Sequence, residues 1–263
     1  MTVSLPRRPV GDHSVMRCRV VGGAVSGAAA TLRNVLEQQT LIFDADDTLW
    51  ENNLYFERVI NDYLDWVEHP TLEPAEIREI LNDIELANIV TNGYGTRAFL
   101  LNLAECFETL NHRPTTDADR LEIDRMAGEL LQHKAELFPG VADTLAELGT
   151  RHDLKLMTKG APQEQQRKID ASGLADLFSS IHIVPEKDPD RYAEIVAAQG
   201  LSVGSTWMIG NSPKSDILPA RAVGLHAVYI PNNDTWVLER AELDSDDTGV
   251  LILGSFGDLL RHF

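Results

Sequence analysis

The sequence predicts an α/β protein: a Rossmann-like, doubly wound parallel sheet with an α-helical bundle inserted after its first strand. Short apolar runs recur along the chain, and segments of helical length and period separate most of the later ones. Strands that alternate with helices and are apolar throughout belong to parallel sheets covered on both faces. One long interval, residues 51 to about 136, contains no convincing strand and reads as helical.

Taken in order, residues 1–39 are expected to form an N-terminal extension, with the fold beginning near Thr40. Arg7 and Arg8 precede the stretch VVGGAVSGAAA (20–30), which is too rich in Gly and Ala to read as a secretory signal. The first strand is LIF (41–43). The later runs are LKLM (154–157), IHIV (181–184), TWMI (206–209), HAVYI (226–230) and VLIL (250–253). Val141, Leu145 and Leu148 share one helical face, as do Tyr192, Ile195 and Val196. In the interval, Phe56, Val59, Ile60, Tyr63, Leu64 and Val67 follow helical spacing. Ile77, Ile80, Leu81 and Ile84 do so after Pro74, a residue suited to a helix start. Leu100, Leu103, Phe107 and Leu110 make a third stripe, and Leu121, Leu130 and Leu131 suggest a fourth helix. The expected organisation is a core of residues 40–50 and 137–263 with a helical bundle over 51–136. Residues 239–247 (ERAELDSDD) read as a solvated charged face.

The net charge of −18, from 41 acidic and 23 basic residues, argues against nucleic acid or an anionic membrane as partner. A small anionic substrate stays compatible if a cation inverts the local potential. Cys18 and Cys106 form no metal motif or disulfide framework, which fits a reducing cytoplasm. No run of about 18 apolar residues exists, so no membrane-spanning helix is expected. The eight histidines are scattered.

The chemistry gathers at the strand ends, where parallel sheets bind ligands. The first strand runs into DADD, so Asp44 and Asp46 are expected to project together, being two apart on extended chain. Close carboxylates repel unless a cation neutralises them, and hard oxygens at this density suit Mg²⁺. DADD alone also fits a turn of solvated acids. However, Thr158 ends the second core strand, Lys187 follows the third, and Asn211 and Asp216 follow the fourth. Together they supply a nucleophile, a hydroxyl donor, a cation and metal-binding oxygens.

This set resembles the haloacid dehalogenase (HAD) superfamily. Its DxDxT motif is matched by Asp44, Asp46 and Thr48; its Thr or Ser by Thr158; its Lys by Lys187; and its acidic GDxxxxD motif by Gly210, Asn211 and Asp216. The resemblance covers residues 41–50 and 137–238, and NGYGTRAF (92–99) is similar to a stretch of uncharacterised phosphatase-like members. It implies that Asp44 attacks phosphorus to form an aspartyl-phosphate and that Asp46 protonates the leaving oxygen, then activates water. Thr158 and Lys187 would hold the phosphoryl oxygens. Mg²⁺ would be held by Asp44, Asp46 through its carbonyl, Asn211 and Asp216. The dehalogenases lack an acid two residues after the nucleophile, so Asp46 favours phosphoryl transfer. Asn211 stands where the family has an acid, and this implies weaker Mg²⁺ binding. The bundle over 51–136 resembles the family's inserted helical cap, where specificity in the family lies. Trp50, Asn52, Asn53, Tyr94, Thr96 and Arg97, with Lys159 beside Thr158, are the candidates to touch a small phosphorylated metabolite, of nucleotide or sugar phosphate type. A phosphomutase or phosphotransferase, and a catalytically silent binding protein, are the alternative readings.

Overall fold

The computed structural model describes residues 38–132 and 135–263. The expected extension over 1–39 lies almost wholly outside this range, as does Cys18. The sheet has six strands: β1 (Thr40–Phe43), β2 (Asp153–Lys159), β3 (Ser180–Val184), β4 (Thr206–Gly210), β5 (His226–Tyr229) and β6 (Val250–Ile252). All pair in parallel, in the order β3-β2-β1-β4-β5-β6. Each of the six apolar runs supplies one strand.

β1 shows why a fully apolar strand is needed. Leu41 and Phe43 pack on one face with Val141, Leu145 and Leu148 of α5 (Val141–Gly149), while Ile42 packs on the other with Tyr192 and Ile195 of α7 (Pro189–Gln199). Side chains alternate across a strand, so a central strand between two helical layers has no polar face to spare. α6 (Pro162–Ser172) and α8 (Leu218–Ala222) complete the layers.

Four helices lie between β1 and α5: α1 (Asn53–Val67), α2 (Pro74–Asn92), α3 (Thr96–Asn111) and α4 (Asp117–Met126). They close on their own apolar cluster, centred on Tyr63, Leu81, Leu103 and Cys106, all fully buried. Tyr63 keeps its hydroxyl satisfied there by donating to the Leu103 carbonyl at 3.0 Å. Pro74 takes the first turn of α2, and a reciprocal Glu73–Glu76 cap fixes its start. The fourth helix is confined to α4, which ends at Met126; Leu130 and Leu131 fall in a following 3-10 turn. Leu121 and Leu131 are exposed, whereas Ile123, Met126 and Leu130 are buried. Acids at 117, 119, 122 and 124 leave α4 few apolar residues to form a stripe. The chain leaves and re-enters the core side by side, with Glu51 N–H donating to Glu136 and Phe138 N–H to Leu49. Among the described residues no helix is long and apolar enough to cross a membrane.

Candidate active site

Strand order reverses around β1: the chain runs outward through β2 and β3, then returns to β4 on the other side. Such a reversal opens a crevice at the carboxyl ends of the strands. A cavity of about 170 Å³ lies there, lined from below by Asp44, Asp46, Thr158, Lys159, Lys187, Asn211 and Asp216, and from above by α1–α3 residues.

The Asp44 N–H extends the ladder to Ile209 at 2.9 Å, so Asp44 stands at the end of β1 beside β4. Its Oδ1 accepts from Lys187 Nζ at 2.5 Å and its Oδ2 from the Thr48 hydroxyl at 2.9 Å. Lys187 Nζ also donates to Asp216 Oδ1 at 2.7 Å. Asp188 caps α7 through the Arg191 N–H, and the helix start pins Lys187 just past β3. Asp216 Oδ2 accepts the Ser212 N–H at 2.9 Å. Gly210 makes this approach possible, since a Cβ there would lie 2.2 Å from Asp216 Oδ2.

One lysine between two buried carboxylates leaves an excess negative charge. Burial, and then the charge on Asp44, push the Asp216 carboxyl up to about 7. Burial alone would lower Lys187, but Asp216 and Asp44 outweigh it and hold its ammonium above the usual range.

Asp46 lines the same cavity as Asp44. The strand ends at Phe43, and Asp47 turns the chain with a φ of 62°. Asp46 has its own cation, Lys168 of α6, at 2.8 and 2.6 Å from its two oxygens. It also accepts from Trp50 Nε1 at 2.7 Å and Gln165 Nε2 at 3.0 Å. Gln165 donates to Thr158 Oγ1 as well, at 2.6 Å, leaving the Thr158 O–H to donate to a ligand. Asp47 accepts the N–H groups of Asn52 and Asn53, and burial, foremost, raises it to about 7.

The other candidates divide. Asn53, Tyr94 and Lys159 line the cavity. Tyr94 donates to Glu186 at 2.5 Å, under the Lys159 ammonium 4.2 Å from its ring. Trp50 does not line it: its indole is buried in the apolar core and serves Asp46. Thr96 ties α3 to Glu164 of the core through its N–H and hydroxyl, both at 2.9 Å. Gly95, at a φ of 104°, admits that carboxylate, which a Cβ would meet at 2.8 Å. Arg97 is exposed and lies away from the cavity.

Lys168, Gln165 and Glu239 were missed by the sequence reading. Glu239 was placed on a solvated face, yet it is held by Lys159 at 2.5 Å and Ser212 at 2.6 Å. Burial alone would raise it, but Lys159 brings it below its ordinary value. The signal for Lys168 was α6 itself: its sequence PQEQQRKIDAS has one large apolar residue, so its inward face had to bury polar groups.

The oxygens present fit a hard cation. Asp44 Oδ2 and Asn211 Oδ1 both accept the Thr48 hydroxyl, at 2.9 and 3.2 Å, so oxygens from two strands converge on one point. Among the described residues no three acidic, His or Cys side chains gather as a metal site.

Comparison with known proteins identifies the family. A family model for haloacid dehalogenase-like hydrolases matches residues 38–224. The chain belongs to that family. This HAD-like hydrolase is 28% identical to a haloacid dehalogenase-like hydrolase from Xanthomonas campestris, with a TM-score of 0.73 over 86% of this chain and 91% of the other. It is 32% identical over 100 residues to a phosphoserine phosphatase of Thermus thermophilus, covering 36% of this chain and 40% of the relative. It is also 32% identical over 117 residues to a phosphoglycolate phosphatase of Synechococcus elongatus, covering 43% and 52%. The matches thus span about half the length of these curated relatives or less.

Proposed function

We propose that this HAD-like hydrolase is a Mg²⁺-dependent phosphatase of small phosphomonoesters, working through an aspartyl-phosphate on Asp44. The observation that carries this is Asp46: a second carboxylate on the same cavity as Asp44, held apart from it by its own lysine. A departing alkoxide needs a proton and a halide does not. The names of the two phosphatase relatives favour the same class.

The two Asp44 oxygens are fixed by Lys187 and Thr48, which orients the carboxylate for attack on phosphorus. Lys187 and the Thr158 O–H stabilise charge on the phosphoryl oxygens. Asp46 gives its proton to the leaving oxygen and then takes one from the attacking water, while Lys168 and Gln165 hold it in place. Asp44, the Asp46 carbonyl, Asn211 and Asp216 would hold Mg²⁺, which supplies charge neutralisation and Lewis acidity. The helices α1–α4 act as a cap that keeps water out of the site.

The test is release of phosphate from a panel of phosphorylated metabolites, with and without Mg²⁺, beside Asp44→Asn. Metal-dependent release that vanishes in the variant is expected. Turnover without a bisphosphate activator separates a phosphatase from a mutase. No release by folded protein in millimolar Mg²⁺ would sink the reading.

A further inference from the structure

The floor of the cavity handles phosphate; its far wall has a different chemistry. Phe56, Ile60, Ile89 and Phe99 make that wall apolar, and Glu85 of α2 sits among them, only 6% exposed. Glutamate is rarely buried this deeply without a counter-ion. The Trp236 side chain hydrogen bonds to its carboxyl, but Oε2 has no partner and no solvent contact. The nearby Arg78 is committed elsewhere, bonding both oxygens of Glu57 at 2.8 and 3.2 Å and Asn82 at 3.0 Å. Burial raises the Glu85 carboxyl to about 7, the mark of a charge lacking a partner. No step of the mechanism uses it.

We propose that Glu85 is a substrate-recognition residue that receives the protonated amine of a phosphorylated amine, whose phosphate lies at Asp44. The inference rests on the phosphatase reading above. A hydroxyl would fill the hydrogen bond but leave the charge. Seven carboxyl groups and three lysines line the cavity. Each lysine is engaged: Lys159 with Glu239, Lys168 with Asp46, and Lys187 with Asp44 and Asp216. A positive charge at Glu85 must therefore come from the ligand, and the apolar wall suits a short alkyl chain leading to it.

The test compares aminoalkyl with hydroxyalkyl phosphates of matched length. The amines should be favoured in kcat/KM by about tenfold or more, the worth of one charge-assisted hydrogen bond. Glu85→Gln, checked for folding by its melting curve, should bring the ratio near one. Glu85→Asp, which keeps the charge on a shorter arm, should keep the preference and shift it to a longer amine. Equal use of both series, or a preference that survives Glu85→Gln, overturns the inference. Calorimetric binding of the corresponding phosphonates to Asp44→Asn repeats the comparison without turnover. An amine preference there, with no ester hydrolysed by the wild type, would sink the phosphatase reading and leave the subsite standing; no preference there overturns it.

Discussion

Lys168→Met removes the cation that holds Asp46. Lys168 Nζ lies 2.8 and 2.6 Å from the two Asp46 oxygens and 3.1 Å from Asn52 Oδ1, and its side chain is 5% exposed. Methionine keeps an unbranched apolar stem in the same space, so the substitution chiefly isolates the charge. Removing one partner of a buried ion pair costs about 3–5 kcal/mol, because the other charge is left uncompensated. Asp46 is not sealed, however: its side chain is 21% exposed, and it keeps the Gln165 and Trp50 donors. Water and these two hydrogen bonds recover part of the loss, leaving about 2–3 kcal/mol. For a chain of this size that lowers the melting temperature by roughly 5–10 °C. Urea unfolding of Lys168→Met, Asp46→Asn and the double variant would measure it. The double variant has no orphaned charge and should recover most of the loss, giving a coupling of at least about 1.5 kcal/mol. A Lys168→Met protein within about 0.5 kcal/mol of wild type, or strict additivity, would refute the claim that Asp46 depends on this lysine.

Asn211→Asp places a further carboxylate beside Asp44 and Thr48. In chelator the variant should melt below wild type; in Mg²⁺ the order should reverse, with half-saturating Mg²⁺ lowered roughly tenfold, and an unchanged Mg²⁺ dependence would remove residue 211 from the metal site. Glu85 gives a pH dependence whose sign is fixed: between its ordinary value of 4.5 and its folded value of about 7, the folded chain holds a proton that the unfolded chain has lost. Wild-type stability therefore falls as pH rises through that window, by up to about 3 kcal/mol; Glu85→Gln should be the more stable protein above it, and the gap in melting temperature should close towards pH 4.5. Thr116→Ala removes the hydroxyl that caps α4, at a cost of about 1 kcal/mol, and phosphate release should be unaffected because no α4 residue lines the cavity.

The sheet was legible because strands between two helical layers are apolar on both faces, as β1 and β4 are. Helices α1 to α3 were legible for the complementary reason: each packs one stripe, so period and burial coincide. That logic failed at α4, where the apolar residues are few and two of the three leucines used to find the helix face solvent. A stripe can be read only when the helix is amphipathic enough for burial to dominate the pattern.

At the site, residues anchored to strand ends were readable because β1 to β4 fix where they stand. What escaped was the set of counter-charges. Lys168 and Glu239 are individually ordinary surface residue types, and only the fold shows that each lies against an unlike charge. The same holds for the opening carboxylates. DADD in isolation implies repulsion that a metal must relieve, whereas the folded chain has already given Asp44 and Asp46 a buried lysine each. The two acids are thereby held in separate environments by separate cations. An enzyme that needs one carboxylate as a nucleophile and the next as a proton carrier requires that separation. The residual excess of negative charge lies on Asp44 and Asp216, which share the single ammonium of Lys187.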